Sequence, residues 1–405
     1  MTSSPLSVVM YDPGNFTPYY VDGLCRGLAD LGLGARVLAS PALFEAVDPA
    51  GRYEIEQVFY SRLTGRLAEF LRGHHRLRRL LKAASYPLGV WRSGLLLRGR
   101  PAGVLHVQWA LVPPLDAWLA RSLRARGWRI VYTIHDLLPG QDQNRASRWH
   151  RPLLRAADAV IVHADTLAEK ITRTYPELAA RVHVIPHGGA LGALPGPDER
   201  LLARQWLGLG ARSPVLLFFG MIKPYKGLEY LIEALPGVLA ARPDARLVIA
   251  GEPLMPLAPI ERMIARLGVG HAIVWHPGFV PAAEVPRYFA AADLVVAPHV
   301  GQVGVSGVVV LSQAWGLPVV TTEVGGLPEL VLPDDCGWVV APRAATALAE
   351  AIRHALADPE RLAEMGRRAR SRIARETDWR EVARRTTALY QRCLAAGSEP
   401  YDRRR

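Results

Sequence analysis

Val303 to Glu329 reads V-G-V-S-G-V-V-V-L-S-Q-A-W-G-L-P-V-V-T-T-E-V-G-G-L-P-E. The order is loop, helix, tight turn, buried strand, second loop. In the first loop, Gly304, Val305, Ser306 and Gly307, small side chains let a ligand approach the backbone. The helix behind it begins with free N–H groups and the positive end of its dipole, which hold an anion. Gly316-Leu317-Pro318 ends that helix and starts the strand Val319 to Thr322. Gly325-Gly326 sets a second flexible loop at the same strand end. Open α/β sheets bind ligands at the carboxyl ends of their strands. The stretch therefore reads either as a phosphate cradle in an exposed loop or as a plain helix–turn–strand unit.

Outward from it, the same alternation recurs. Short apolar strands are expected at Val215 to Phe219, Arg246 to Ala250, Ile273 to His276 and Leu294 to Ala297. Helical periodicity lies between them, over Leu228 to Ala241, Ile260 to Leu267 and Glu284 to Ala291. Further helices are expected over Ala344 to Ala357, Pro359 to Glu376 and Trp379 to Ala395. The first 190 or so residues repeat the scheme, with strands at Leu6 to Tyr11, Ala35 to Ser40, Val104 to Gln108, Arg129 to Ile134, Ala159 to His163 and Val182 to Ile185. Helices are expected over Tyr19 to Gly32 and Leu115 to Gly127. Buried strands alternating with amphipathic helices indicate parallel βαβ units. Gly, Ala and Pro dominate Gly188 to Pro197, which marks a boundary between two domains. No G-x-G-x-x-G follows the first strand, so nothing supports a dinucleotide site.

The chain has 405 residues, half of them hydrophobic, which suits two domains with large cores. Cys25, Cys336 and Cys393 are far apart and form neither metal spacing nor a disulfide framework, as suits a reducing cytosol. The N-terminal residues lack a basic segment and a long apolar core, so no signal peptide is expected. No apolar run is long enough to span a membrane. The formal net charge is +12 and uneven: residues 1–195 hold 24 Lys+Arg against 15 Asp+Glu. Arg62, Arg66, Arg72, Arg76, Arg78, Arg79, Lys82, Arg92, Arg98 and Arg100 stand in one run against Glu69, interleaved with leucines, Phe70 and Trp91. The run suits an anionic membrane surface or a solvated helical face. No nucleic-acid recognition motif accompanies it, so nucleic acid is not an expected partner.

Four segments occur in a fixed order: F-F-G-M-I-K-P-Y-K-G-L-E-Y-L-I-E-A, L-V-I-A-G-E, A-A-D-L-V-V-A-P-H and G-L-P-V-V-T-T-E-V-G-G-L-P-E-L-V. Together they resemble the nucleotide-sugar-binding domain of retaining glycosyltransferases of family 4. V-Y-T-I-H-D-L-L-P and V-H-V-I-P-H-G look like that family's interdomain segments. The resemblance implies an α/β protein of GT-B fold, with two Rossmann-like domains facing each other across a cleft. It implies an acceptor-binding domain over 1–195 and a nucleotide-sugar domain over 212–375. The C-terminal segment 376–405 would return as a helix to the first domain.

The implied reaction transfers a sugar, with retention, from a UDP- or GDP-sugar to a glycan, lipid-linked or small-molecule acceptor. No metal and no cofactor are expected. Fixed cations and N–H groups must then neutralise the charge that grows on the departing diphosphate. Lys226 fits that role, and Lys223 adds a second charge where the family's arginine position is Met221. His135 would offer its backbone carbonyl and ring to the donor sugar. By analogy Gly278, Phe279 and Val280 hold the base, with Phe279 stacking or in the core, and Gly304 to Gly307 with Gly325 and Gly326 hold the diphosphate. Gly14, Asn15, Phe16, Tyr19 and Trp109 are the acceptor-side residues. A cytoplasmic protein, peripheral on the inner face of the cell membrane, is the expected setting.

One departure stands out. The family's two donor-site glutamates fall here on Val303 and Leu311, neither of which accepts a hydrogen bond through its side chain. Sugar selection is therefore expected to pass to other groups, His135 and the Gly325-Gly326 loop first. Two alternatives stay open: a nucleotide-sugar-binding protein without transferase activity, and a nucleotide-sugar 2-epimerase.

Overall fold

The structure is a computed structural model and describes residues 6–42, 45–60, 75–136, 144–301 and 304–396. The chain divides into two compact units, Met1–Gly188 with Trp379–Arg405, and Gly189–Asp378.

The first unit is built on seven parallel strands, β1 (Val8–Asp12), β2 (Ala35–Ala39), β3 (Glu54–Gln57), β4 (Val104–Val107), β5 (Arg129–Thr133), β6 (Ala159–Val162) and β7 (Val182–Val184). Their order is β3-β2-β1-β4-β5-β6-β7. The interleaved helices are α1 (Pro18–Asp30), α2 (His75–Arg98), α3 (Pro113–Arg124), α4 (Asn144–Ala156) and α5 (Asp165–Thr174). All residues of β1 and β4 are buried, the mark of central parallel strands covered on both faces. The chain builds outward from β1 one way, then returns beside it as β4 and builds the other way. The crevice at the β1/β4 strand ends is thus the topological switch point.

Helix α14 (Trp379–Ala396) belongs to this unit although it ends the described chain. It packs along α1, where a Cβ at Gly23 would strike the Trp379 ring and one at Gly27 the Trp379 carbonyl. Val382, Ala383, Leu389 and Tyr390 join Leu24 and Leu28 in one core. Tyr390 Oη also reaches His106 Nδ1 at 2.6 Å, below the sheet's central strand β4.

The second unit has six parallel strands, β8 (Val215–Phe219), β9 (Arg246–Gly251), β10 (Ile273–Pro277), β11 (Leu294–Ala297), β12 (Val319–Thr322) and β13 (Gly337–Val340), in the order β10-β9-β8-β11-β12-β13. Its helices are α6 (Pro197–Trp206), α7 (Leu228–Ala241), α8 (Ala258–Leu267), α9 (Val285–Ala291), α10 (Gly307–Ala314), α11 (Leu327–Val331), α12 (Ala345–Ala357) and α13 (Pro359–Arg372). Here the switch point is β8/β11.

Strands β3 and β13 and helices α4, α5 and α6 are among the elements that the sequence did not announce. Strand β3, E-I-E-Q, is an exposed edge whose alternation carries no apolar signal, and Arg36 pairs with Glu54 and Glu56 to hold it. Strand β13 opens on Gly337 and is only half buried, again at an edge. Helices α4 and α5 are polar on average. Helix α6 is fixed less by apolar residues than by Arg204, which is buried and donates to Asp293, Ala291 O and Ala211 O. Of the basic run, Arg62, Arg66 and Arg72 lie outside the described residues, as do the side chains of Arg76, Arg78, Arg79 and Lys82. Among the described residues, no helix is long and apolar enough to cross a membrane.

Candidate functional site

Two strand-end clusters form, one in each unit. In the second unit, β8 ends at Gly220 and runs into a turn over Pro224–Lys226, then Gly227 and α7. Gly227 has φ +70°, and a Cβ there would collide with the Pro298 carbonyl, so only glycine brings this turn against the end of β11. Val300 N donates to Tyr225 O at 2.9 Å and locks the two loops together. Lys223 Nζ and Lys226 Nζ stand 5.8 and 5.7 Å from the centre of the Tyr225 ring, so one aromatic face pair holds two ammonium groups.

Across the switch point, Ser306 is the N-cap of α10. Its side chain makes no cap, and the buried Oγ has no partner among the described residues. At 3% exposure Ser306 is not in the exposed loop expected from the sequence; Val305 and Gly304 are buried with it, while Gly307 is exposed. A Cβ at Gly220 would touch Val308, which places the first turn of α10 beside the lysine loop. Gly326 N donates to Gly304 O at 2.9 Å, so the loop after β12 closes on the same point.

His299, just past β11, is 1% exposed. Its Nδ1 donates to the Ala297 carbonyl at 3.0 Å, and Nε2 is buried without a partner among the described residues. Burial and the nearby Lys226 charge hold this imidazole down at about 3, so it is neutral, with a lone pair on Nε2. Gly278 N bonds to Gly251 O at 3.0 Å, tying the β10 end to the β9 end. Phe279 is 36% exposed, which removes the core reading of that ring, and Val280 is half-buried. Leu311 is half-buried on α10, and Val303 lies outside the described residues.

In the first unit, His135 follows β5 and is buried. Trp109 stacks on it at 5.4 Å and 19°, and Tyr20 meets its edge at 4.6 Å. Both ring nitrogens are engaged, Nε2 with Gln108 Oε1 at 2.9 Å and Nδ1 with His163 Nε2 at 3.3 Å. Burial, reinforced by His163 and His187, holds the ring well below the usual imidazole range. His135 is therefore no charged acid at neutral pH. Gly14, Asn15 and Phe16 form the loop after β1, with Phe16 edge-on to Trp109 at 5.4 Å. Tyr19 is half exposed and turned toward Glu45, its Oη 3.3 Å from Oε2. His163, His299 and Asp12 were not singled out in the sequence. Each stands at the end of a short buried strand or within two residues of it, as His135 does.

Two parallel sheets with interleaved helices and a ligand-competent crevice at each switch point define the GT-B class. The chain belongs to the glycosyltransferase family of that class: residues 213–358 match the "Glycosyl transferases group 1" domain and residues 18–188 the "Glycosyl transferase 4-like domain". It is 32% identical over 327 residues to alpha-maltose-1-phosphate synthase of Mycolicibacterium smegmatis, covering 75% of this chain and 78% of that protein. It is 28% identical over 407 residues to D-inositol 3-phosphate glycosyltransferase 2 of Catenulispora acidiphila, covering 95% and 91%. In fold it is similar to Anabaena Alr3699/HepE in complex with UDP and glucose, with a TM-score of 0.75 and 19% identity over 96% of this chain and all of that one.

Proposed function

We propose that the chain transfers a sugar, with retention and without a metal, from a UDP- or GDP-sugar to a hydroxyl of a glycan, lipid-linked or small-molecule acceptor. The observation that carries this reading is the β8/β11 crevice. There two lysines, the N-terminus of α10 and the unpartnered Ser306 hydroxyl converge on one strand end. That set suits a diphosphate leaving group: cations and donors wait, already ordered, where negative charge grows. Lys226 is the principal cation and Lys223 the second. Gly278 to Val280 take the base, and Gly325-Gly326 borders the sugar.

His135 contributes through its backbone carbonyl, since its ring nitrogens are occupied. Gly14, Asn15, Phe16, Tyr19 and Trp109 border the acceptor. UDP in the Anabaena structure and the inositol phosphate glycosyltransferase among the relatives support this donor and acceptor chemistry.

A membrane surface is the proposed setting at the cytoplasmic face. Helix α2 leaves Leu88, Trp91 and Leu95 exposed at one-turn spacing, with Arg98 and Arg100 exposed at its end.

The test is release of nucleoside diphosphate from a panel of UDP- and GDP-sugars, with and without lipid extract and small polyols. Acceptor-dependent release supports the transferase. Binding of the nucleoside diphosphate without turnover supports the binding protein instead, and isomerised sugar without an acceptor supports an epimerase.

A further inference from the structure

In the second unit the chain around Lys226 and the chain around His299 close on each other. Val300 N donates to Tyr225 O at 2.9 Å, and a Cβ at Gly227 would stand 2.0 Å from the Pro298 carbonyl oxygen and 3.1 Å from Val300 Cγ1. The residues on either side of Lys226 thus touch the residues on either side of His299. The Tyr225 ring is common to both: its centre lies 6.1 Å from that of His299 and 5.7 Å from Lys226 Nζ. The same nearness shows in the electrostatics, where the Lys226 charge adds to burial in keeping the imidazole neutral.

His299 is firmly held, and one atom of its ring is left over. Its Nδ1–H is taken by the Ala297 carbonyl, 3.0 Å away, and its own carbonyl accepts from the Thr322 hydroxyl at the end of β12. Nε2 remains a buried lone pair without a partner among the described residues. A buried acceptor with nothing to accept is costly and calls for an explanation. A bare phosphate oxygen cannot supply the proton, because it only accepts. An ammonium can: it carries three donors, and the cation beside this ring is Lys226. Its flexible four-carbon stem can bring Nζ from the Tyr225 face to Nε2.

We infer that His299 is a positioning residue for Lys226: when a diphosphate occupies the crevice, Nε2 accepts one N–H of the ammonium and the other two point at phosphate oxygens. The Tyr225 ring and the Nε2 lone pair then hold the cation from two sides. A ring face attracts an ammonium without fixing where its hydrogens point, whereas a lone pair fixes one of them. His299 itself does not touch the diphosphate. The inference rests on the transferase reading of the crevice, in which Lys226 answers the charge of the departing diphosphate.

The experiment is a double-mutant cycle on the full chain, read by calorimetry with UDP, GDP and inorganic pyrophosphate. Two substitutions divide the imidazole. His299→Asn keeps a side-chain N–H for the Ala297 carbonyl and removes the acceptor at Nε2. His299→Gln reaches as far as Nε2 and restores an acceptor there. The tightest probe should bind about tenfold more weakly to His299→Asn, at an unchanged or higher Tm. Its affinity for His299→Gln should stay within about twofold of wild type. In Lys226→Ala, which lacks the ammonium, adding His299→Asn should change the affinity by less than about twofold. Losses that simply add overturn the inference, as does wild-type affinity in His299→Asn. A purely structural His299 gives the reverse order, with His299→Gln the more damaged, and overturns it too. Should His299→Asn not fold, His299→Leu takes its place in the cycle, and a chain that tolerates neither makes His299 a fold residue and refutes the inference. If wild type binds none of the probes, the diphosphate reading of the crevice falls and this inference with it. A working transferase with additive losses sinks this inference alone. Coupled losses in a chain that turns over no donor sink only the transferase reading.

Discussion

His163 Nε2 lies 3.3 Å from His135 Nδ1, and the Ile185 carbonyl on the far side of His163 decides which ring supplies the proton. A carbonyl only accepts, so His163 Nδ1 carries a hydrogen at its 2.8 Å contact. In a neutral ring Nε2 is then a lone pair, and the shared proton belongs to His135 Nδ1. His135 Nε2 must in turn accept, which requires the Gln108 amide to turn so that its nitrogen, rather than the Oε1 that stands 2.9 Å away, faces the ring. The expected result is the Nδ1–H tautomer on both rings at neutral pH, read from imidazole 15N chemical shifts. An Nε2–H tautomer on His163, or a charged ring, would contradict this chain of bonds.

Acid should destabilise the fold. His106, His163 and His299 are held at about 3 and His187 at about 4 by burial, and His135 is also depressed. The unfolded chain takes up protons below its ordinary imidazole value, about 6.5, and the native chain does not. The stability these rings carry is complete above that value and is lost as pH falls from it toward 4. Each ring costs up to about 1.4 kcal/mol per pH unit. Asp12 and Asp116, raised by burial to about 6, act the other way, because the native chain protonates them first. Five imidazoles outweigh two carboxyls, so denaturant midpoints should drop between pH 7 and pH 5. A flat or rising midpoint would show that the rings are protonated in the native state.

Lys226→Ala should lower kcat more than it raises donor KM, because the charge it answers develops in the transition state. Loss of one preorganised group of this kind costs about 10²–10³ in rate. An unchanged kcat/KM removes Lys226 from the site. Lys223→Ala should cost less, since Lys226 shares the Tyr225 ring with it and remains.

Ser306→Ala separates ligand binding from folding. The hydroxyl is buried and unpartnered, so its removal should leave Tm unchanged or higher. A hydrogen bond to a charged phosphate oxygen is worth about 1.5–3 kcal/mol. Nucleoside diphosphate affinity, measured by calorimetry, should therefore fall roughly 10- to 100-fold. A loss of Tm with no change in affinity would make Ser306 a structural cap only.

For the membrane proposal, wild type should co-sediment with phosphatidylglycerol vesicles at low salt and release at high salt, because surface charge is screened. Trp91→Ser on α2 should weaken that binding without altering donor turnover in solution. Retention that ignores salt, or none at all, would leave the α2 stripe as an ordinary exposed face.

The sequence alone determined the parallel α/β class and most of the central strands. Strands such as β1, β4, β8 and β11 are covered on both faces and must be continuous apolar runs, which a linear pattern displays. It also marked the glycine loops at the strand ends, because a turn such as Gly227 tolerates no other residue. Edge strand β3 and helix α6 were not legible, since ion pairs and Arg204 hold them through partners distant in the chain. Tertiary structure alone decided which strands flank each switch point, and therefore which loops share a site. It alone showed that Asp116 is closed by Tyr11, Tyr86 and Val112 N, while Ser306 Oγ and His299 Nε2 are buried without a partner among the described residues. Hydrogen-bond satisfaction belongs to neighbours in space, and those neighbours are set only once the sheet order is formed.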